Sequence, residues 1–299
     1  MIIINDKPGQ LCNQLWSYAP FIATSLENKN TFITLYFEDN FYLFEDLNRF
    51  ENIKFGWFRI GKIDVYLRKI LLRYIRIIPD RVLKIFNIHI DKVNWKAENW
   101  EDNLISKKNS IIFLGAGCHK KNNLFLTKYH SEITQIFEPK KIYKQKVDNE
   151  FREKFKNFDT IVGVHIRRGD YKNFLDGIYY FDDKVYIRAI KAIKNQSDNR
   201  NKKVVFLLCS NEELELNLYN DIDIFQISEP NSIADLYALS CCNYIIGPPS
   251  TYSMWASYYG NVPLKFIKHN DESIRLEDFS EIIAQDTFAN GDLLIHDAN

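Results

Sequence analysis

With 299 residues and a hydrophobic content of 46%, the chain can bury a sizeable core, and its length suits two domains of ordinary size. Lysine and arginine total 39 and aspartate and glutamate 39, so no overall field draws the chain to nucleic acid, and any cation acting on a ligand must act locally. The cysteines, Cys12, Cys118, Cys209, Cys241 and Cys242, follow neither a disulfide-framework nor a zinc spacing, which excludes a disulfide scaffold and suits a reducing compartment.

In chain order, Ile2–Ile4 reads as a strand leading through the Pro8-Gly9 turn into a helix from about Asn13, and residues 31–37 read as a further strand. The first residues lack the basic flank and long apolar core of a signal peptide, and no apolar stretch stays uncharged long enough to span a membrane, so a cytoplasmic location is expected. Residues 62–84 set Arg68, Lys69, Arg73, Arg76 and Arg81 among Ile70, Leu71, Leu72, Ile75, Ile77 and Ile78. Such a basic amphipathic helix either packs on its own sheet with a solvated basic face or lies on the anionic inner face of a membrane. Residues 137–158 are charged and helical, and Pro139 marks the boundary region between domains placed at residues 1–150 and 151–299.

Beyond it, short apolar runs alternate with helical patterns. A strand ends at His165, a helix covers residues 184–195, a strand 203–209, a helix 211–219, a strand 223–227, a helix 232–242 and a strand 243–247. A helix from Ser250 closes at Gly260, read as its C-cap, before a strand at 262–267. This alternation predicts βαβ units on a parallel sheet, a Rossmann-like domain.

The densest chemistry lies in Thr160-Ile161-Val162-Gly163-Val164-His165-Ile166-Arg167-Arg168-Gly169-Asp170-Tyr171. An apolar run of this kind is a strand buried on both faces, and it delivers two arginines to its carboxyl end, where ligands collect in parallel sheets. A guanidinium is always charged and presents a planar fork of donors, so the pair can neutralise a diphosphate without a metal. Ser250 and Thr251 open a helix directly after a strand and turn, where N–H groups and hydroxyls suit a phosphate; N-capping uses the same residue types and is compatible with that role. Asp221-Ile222-Asp223 fits the D-x-D pattern of metal-dependent sugar transferases and Arg168-Gly169-Asp170 an adhesion tripeptide, but patterns so short arise by chance, and no metal is expected.

The order His165-x-Arg167-Arg168-Gly169-Asp170-Tyr171 resembles the signature of the α-1,2-fucosyltransferases, glycosyltransferase family 11, and more distantly that of the α-1,6- and protein O-fucosyltransferases. Gly9-Gln10-Leu11-Cys12-Asn13-Gln14-Leu15-Trp16 resembles the family's G-x-L-G-N-Q-L-F. Asp235-Leu236-Tyr237-Ala238-Leu239-Ser240, followed by Pro249-Ser250-Thr251-Tyr252-Ser253-Met254-Trp255, resembles its D-L-x-L-M-S and N-S-S-F-S-W-W. Cys12, Pro249 and Met254 depart from the family's glycine, asparagine and tryptophan, which bears on acceptor choice and the local turn more than on the donor.

The resemblance implies a GT-B fold, an N-terminal acceptor-side and a C-terminal GDP-sugar domain facing across a cleft, and inverting transfer of fucose from GDP-β-L-fucose to a galactose-containing glycan, lipid-linked in one version, by an α-1,2 linkage. It implies that Arg167 carries the catalytic phosphate contact, Arg168 assisting, and that Asp235 reads guanine, whose N1–H and N2–H₂ edge pairs with one carboxylate. Asp235 is otherwise a first-turn aspartate favouring the helix dipole after a cap at Asn231 or Ser232. His165 bonds ribose or phosphate, or is a satisfied, partly buried histidine. Gly9 and Gln10 approach the nucleotide from the opposite wall, and Asn13 orients the acceptor hydroxyl or caps its helix. Inversion calls for a general base, which neither Asp6 nor Asp170 can be assigned as. Alternatives are a related GDP-sugar transferase with another linkage or acceptor, and a catalytically silent sugar-nucleotide-binding or adhesive protein.

Overall fold

The computed structural model describes residues 2–4, 9–28, 33–35, 37, 39–55, 70, 73–74, 77–85, 89–92, 110–113, 124–285 and 287–290. Cys118, Asp6 and most of the basic segment at 62–84 lie outside them; within that segment Tyr74, Ile77 and Ile78 are exposed. The chain divides into two compact units, Met1–Lys140 and Lys141–Asn299.

In the first unit, β1 (Ile2–Ile4), β2 (Ile33–Leu35), β3 (Ile53–Phe55), β4 (His89–Lys92) and β5 (Ser110–Phe113) form a parallel sheet in the order β3-β2-β1-β5-β4. Helix α1 (Leu11–Glu27) connects β1 to β2 and is apolar almost all round, burying Leu15, Trp16, Tyr18, Phe21 and Ile22, as a helix covered on most sides must. Rings of Phe37, Phe44 and Phe55 gather on Phe137, at centroid distances of 5.9, 5.7 and 5.8 Å. The chain holds Phe137 there by a backbone strap: Glu45 donates to the Glu138 carbonyl (2.9 Å) and Lys140 to that of Leu43 (3.0 Å), with Phe44 and Pro139 bridged antiparallel. Pro139 thus closes the first unit's own backbone pairing before the charged helix at Lys141–Lys154 begins.

In the second unit, β6 (Thr160–Ile166), β7 (Val204–Ser210), β8 (Ile224–Phe225), β9 (Tyr244–Gly247) and β10 (Leu264–Phe266) run parallel in the order β10-β9-β6-β7-β8. Alternation along β6 fixes its two faces. Val162, Val164 and Ile166 join Tyr186, Ile190 and Ile193 in one core cluster. Gly163 faces the other way, where an added Cβ would meet Leu239 Cδ2 at 2.6 Å. The expected double burial is therefore present, and both units are α/β on parallel sheets.

The helix Asp183–Asp198 buries Val185, Tyr186, Ala189, Ile190 and Ile193 at helical spacing and is capped by Asp182, whose side chain accepts from the Val185 N–H. The helix expected at residues 211–219 is reduced to one 3-10 turn, Leu216–Tyr219. Its first side chains are spent on a neighbour: Asn211 and Glu212 accept from backbone N–H groups of the arginine loop instead of starting a helix. Among the described residues no helix is long and apolar enough to cross a membrane.

A second correction concerns Gly260. The helix Thr251–Gly260 ends on it, but the left-handed capping residue is Asn261 (φ 51°). Gly260 is needed for closeness, because any Cβ there would collide with the Ser240 carbonyl at the end of the helix Ser232–Ser240. Gly260→Ala is therefore expected to destabilise the protein by ~1–3 kcal/mol through overpacking, whereas Asn261→Gly should be neutral or stabilising by up to ~1 kcal/mol. Urea unfolding of both variants checks the assignment; an inversion of the two effects would return the capping role to Gly260.

Candidate functional site

Strand order reverses at β6: β7 and β8 lie to one side, β9 and β10 to the other. At such a point the loops leaving neighbouring carboxyl ends part, and a crevice opens between them. The loop after β6 carries Arg167 to Tyr171, and that after β9 carries Pro248 to Ser250.

Backbone bonds hold the first loop. The Arg168 N–H donates to Asn211 Oδ1 (2.9 Å) and the Gly169 N–H to Glu212 Oε1 (2.8 Å). Gly169 has φ +54°, and a Cβ would come within 2.8 Å of Asn211 Nδ2, so glycine is required on both counts. The buried Tyr171 hydroxyl donates to the Pro249 carbonyl at 2.6 Å, tying the two loops together. Burial raises the Tyr171 phenol above its ordinary value, so it remains a donor.

The two arginines have different surroundings. Arg168 is 2.8 Å from Asp183 Oδ1, donates from Nε to the Phe181 carbonyl (3.2 Å) and lies over the Tyr186 ring at 5.9 Å. Asp183 also accepts from the Tyr219 hydroxyl at 3.0 Å. This network is internal, so the Arg168 side chain is a strut, and the adhesion tripeptide does not present its arginine. Arg167 lies 5.5 Å from the Tyr171 ring centroid and 2.8 Å from Asp170, whose side chain is 55% exposed. A pair with one solvated partner is worth ~0–1 kcal/mol, so an incoming anion can replace Asp170 at little cost. Asp170 itself is thereby explained as that partner.

His165 is buried on the other face of β6, its ring 5.0 Å from that of Tyr252. Burial, aided by the Arg167 charge, pushes its pKa down to about 3, so the ring is neutral. Its Nδ1 is buried with no hydrogen-bond partner among the described residues, a capacity that a ligand can use. Asp235 lies in the first turn of Ser232–Ser240, but Asn231 caps that helix, accepting from the N–H groups of Ile233 (3.3 Å) and Ala234 (3.0 Å). Burial pushes the Asp235 carboxyl up to about 7, outweighing the helix dipole. Its charge adds to burial in raising the Cys209 thiol, and Cys209 is the register partner of His165. His165 and Asp235 therefore converge on one face, beside the end of β7. Ser250, also buried, caps Thr251–Gly260 by accepting from the Tyr252 N–H at 3.2 Å, and Thr251 is that helix's first residue.

Gly9, Gln10 and Asn13 belong to the first unit. Helix α1 starts two residues earlier than expected, so the cap position falls on Gln10, which makes no side-chain cap bond, and Asn13 is in the first turn. The Gly9 turn (φ +54°) is held instead by Gln14, which donates to the Gly9 carbonyl (3.1 Å) and accepts from Asn40 Nδ2 (3.2 Å). Asp221 and Asp223 are exposed on either side of buried Ile222, and Asp223 shares a surface cavity with Asn157, Lys203 and Val204, at the amino end of β7. The D-x-D aspartates thus lie at the opposite end of the sheet from the arginine loop. No group of three or more metal-ligating side chains occurs among the described residues.

Sequence reasoning did not single out Asn211, Glu212, Asp183 or Tyr252. Asp183 carried a weak signal, an Asp-Asp doublet opening an amphipathic helix, which reads as capping alone.

The family model described as Glycosyl transferase family 11 matches residues 59–282. Among solved structures, a mutant of FUT1 from Arabidopsis thaliana in complex with GDP has a TM-score of 0.58 at 10% identity, covering 95% of this chain and 74% of that one. The fucosyltransferase NodZ from Bradyrhizobium gives 0.53 at 16% identity, covering 88% and 94%, and POFUT1 in complex with GDP gives 0.52 at 9%, covering 89% and 97%. At these identities the likeness is one of fold, the GT-B type. No curated protein matches the sequence.

Asp183→Asn keeps the acceptor for Tyr219 but removes the charge opposite Arg168, and should cost ~1–3 kcal/mol, between the values for a solvated and a fully buried pair. Chemical denaturation measures this directly. A loss below ~0.5 kcal/mol would make the pair a surface contact without structural weight.

Proposed function

The chain belongs to glycosyltransferase family 11, and from that premise we propose that it moves L-fucose from GDP-β-L-fucose to a glycan hydroxyl with inversion, by an α-1,2 linkage to galactose. The observation that carries the reading is the division of labour in the arginine pair. Arg168 is held inside, while Arg167, beside it, has a solvated partner that a phosphate can displace.

As the anomeric carbon–oxygen bond breaks, the sugar becomes oxocarbenium-like and negative charge grows on the β-phosphate. Arg167 stabilises that charge where it develops, its place fixed in advance by the loop bonds. The N-terminus of Thr251–Gly260, with Ser250 and Thr251, supports the diphosphate. Asp235 accepts from the guanine N1–H and N2–H₂ groups, and His165 Nδ1 accepts from a ribose hydroxyl or, in the other tautomer, donates to a phosphate oxygen. Because a fixed guanidinium supplies the charge, transfer is independent of a metal. Gly9, Gln10 and Asn13 serve the donor and the acceptor hydroxyl from the first unit. Solved neighbours in complex with GDP support the choice of nucleotide. The location we favour is cytoplasmic, with residues 62–84 packed on their own sheet; the alternative is peripheral contact of that segment at the inner face of a membrane, with a lipid-linked glycan as acceptor.

Arg167→Lys keeps charge but loses the fork, so transfer should fall by at least about a hundredfold, with wild-type activity persisting in excess EDTA. Steady-state assays with GDP-fucose and a galactoside measure both. Near-normal turnover of the variant would remove Arg167 from catalysis, and rescue of EDTA-treated enzyme by manganese would redirect attention to Asp221 and Asp223.

The raised Asp235 pKa gives a second test. Its folded pKa, about 7, stands above the ordinary 3.8, so it contributes stability below about pH 4 that is lost as pH rises through 7. His165, at about 3 against an ordinary 6.5, acts oppositely: stability is lost as pH falls from 6.5 towards 3. The two offset each other in a pH–stability profile, but nucleotide binding separates them, since a carboxylate that accepts from guanine must be ionised. GDP binding at pH 6 should release a proton from wild type that Asp235→Asn does not release, and the variant should lose ~1–3 kcal/mol of GDP affinity. Calorimetry in buffers of different ionisation enthalpy reads both, and identical proton release by the two proteins would sink the assignment.

A further inference from the structure

The segment following the arginine loop has no part in the donor contacts proposed above, yet its conformation is costly. Phe174 (48% exposed), Leu175 (51%), Ile178 (56%) and Tyr180 (40%) turn apolar groups to solvent within one short stretch. Leu175, Asp176 and Gly177 are successive left-handed residues, with φ of 48°, 56° and 77°. Glycine adopts this backbone freely, but a leucine is strained there, and Leu175 buries little in return. Strain of this kind, held on a well-determined frame, marks positions where function decides the residue.

The frame leads straight to the reacting centre. The Phe174 ring stacks on that of Tyr171 at 5.3 Å and 27°, and the Tyr171 ring carries the Arg167 guanidinium at 5.5 Å. Cation, buried phenol and phenyl thus stand in successive contact, and the phenyl is half exposed. A hydroxyl attacking a sugar whose phosphate rests on Arg167 belongs to a saccharide large enough to extend over these neighbouring rings. Saccharides are amphipathic: ring C–H groups form an apolar face with positive edges that suits the negative face of an aromatic ring, while their hydroxyls seek polar neighbours. Here those neighbours are the exposed Asp176 and Lys172. Asp170 and Asp183 are paired with Arg167 and Arg168, and the remaining Asp176 and Asp182 balance Lys172 and Lys184, so the patch has no positive excess to hold an anionic bilayer.

We propose that Phe174 and Leu175 form the platform on which the saccharide acceptor lays its C–H face, Ile178 and Tyr180 bordering it. This rests on the fucosyl-transfer reading of the same site. The test uses the full-length chain, with Phe174→Ala and Leu175→Gly, assayed for transfer to lactose and a panel of free mono- and disaccharides. For each variant the acceptor KM should rise about tenfold while the calorimetric Kd for GDP stays within about twofold. The melting temperature of Leu175→Gly should be equal to or higher than that of wild type, since strain is released; a merely structural residue would lower it. Should Phe174→Ala fold poorly, Leu175→Gly alone decides. Unchanged acceptor KM would overturn the platform, as would variants whose only effect is loss of a dimer in sedimentation or of flotation with anionic vesicles. Donor hydrolysis separates this from the parent reading. A wild type that hydrolyses GDP-fucose but transfers to no saccharide rejects the platform's occupant, and one that neither binds GDP nor hydrolyses GDP-fucose rejects fucosyl transfer itself.

Discussion

A guanidinium cannot lose its proton, so one carried into a protein interior must find a negative partner there, and the ion pair between Arg168 and Asp183 meets that demand. The requirement ties the end of β6 to the first residue of the helix Asp183–Asp198 and determines where the loop between them can go. With Arg168 anchored, the chain reverses at Gly169, the Arg168 and Gly169 N–H groups fall on Asn211 and Glu212, and Tyr171 reaches the Pro249 carbonyl. Arg167 is then the arginine whose carboxylate partner, Asp170, is solvated. Two identical neighbours in sequence differ because their carboxylate partners, Asp170 for Arg167 and Asp183 for Arg168, are 55% and 22% exposed.

Burial on both faces has a sequence signature, and β6 shows it. Its β-branched run left only a parallel-sheet strand as a reading, and the same pattern marked β7 and β9. The helix Asp183–Asp198 was legible from its 3.6-residue period. Periodicity failed at residues 211–219, where leucines at helical and strand spacing coexist and the decision was made by long-range bonds to the arginine loop, which no local pattern records. Gly260 was misjudged for a related reason. A glycine at a helix end suggests a cap by frequency, but its cause is a carbonyl twenty residues away in the chain. The capping alternative for Asn13 arose because the start of α1 was placed late, and Gln14, the residue that holds the Gly9 turn, was hidden as one more polar position in a buried helix. In the site itself, residue type and position drew attention to Arg167, whereas Asp235 and His165 were marked by the family resemblance. What they could not reveal was the second layer of Asp183, Asn211 and Glu212, which contact the motif only after folding.

The electrostatics of the site follow from burial more than from charge pairing. His165 is held neutral and Asp235 is brought into a range where its proton is easily exchanged, and burial is the leading cause of each shift. A chain without net charge can in this way keep one cation poised for a polyanion, without a broad positive surface that would collect unrelated ones.

The helices Ser232–Ser240 and Thr251–Gly260 touch at both ends: the Tyr252 hydroxyl donates to the Ser232 carbonyl at 2.8 Å, and Gly260 rests on the Ser240 carbonyl. The first carries Asp235, and the second begins beside Ser250. Two rods pinned top and bottom cannot slide, so the separation between the Asp235 carboxylate and the Ser250 cap is a fixed gauge. Under the proposed function a nucleotide would be selected by span as well as by edge: a correct base on too short a phosphate chain would reach one end of the gauge and leave the other empty. Discrimination by length would thus be set at a crossing of helix backbones that never meets the ligand.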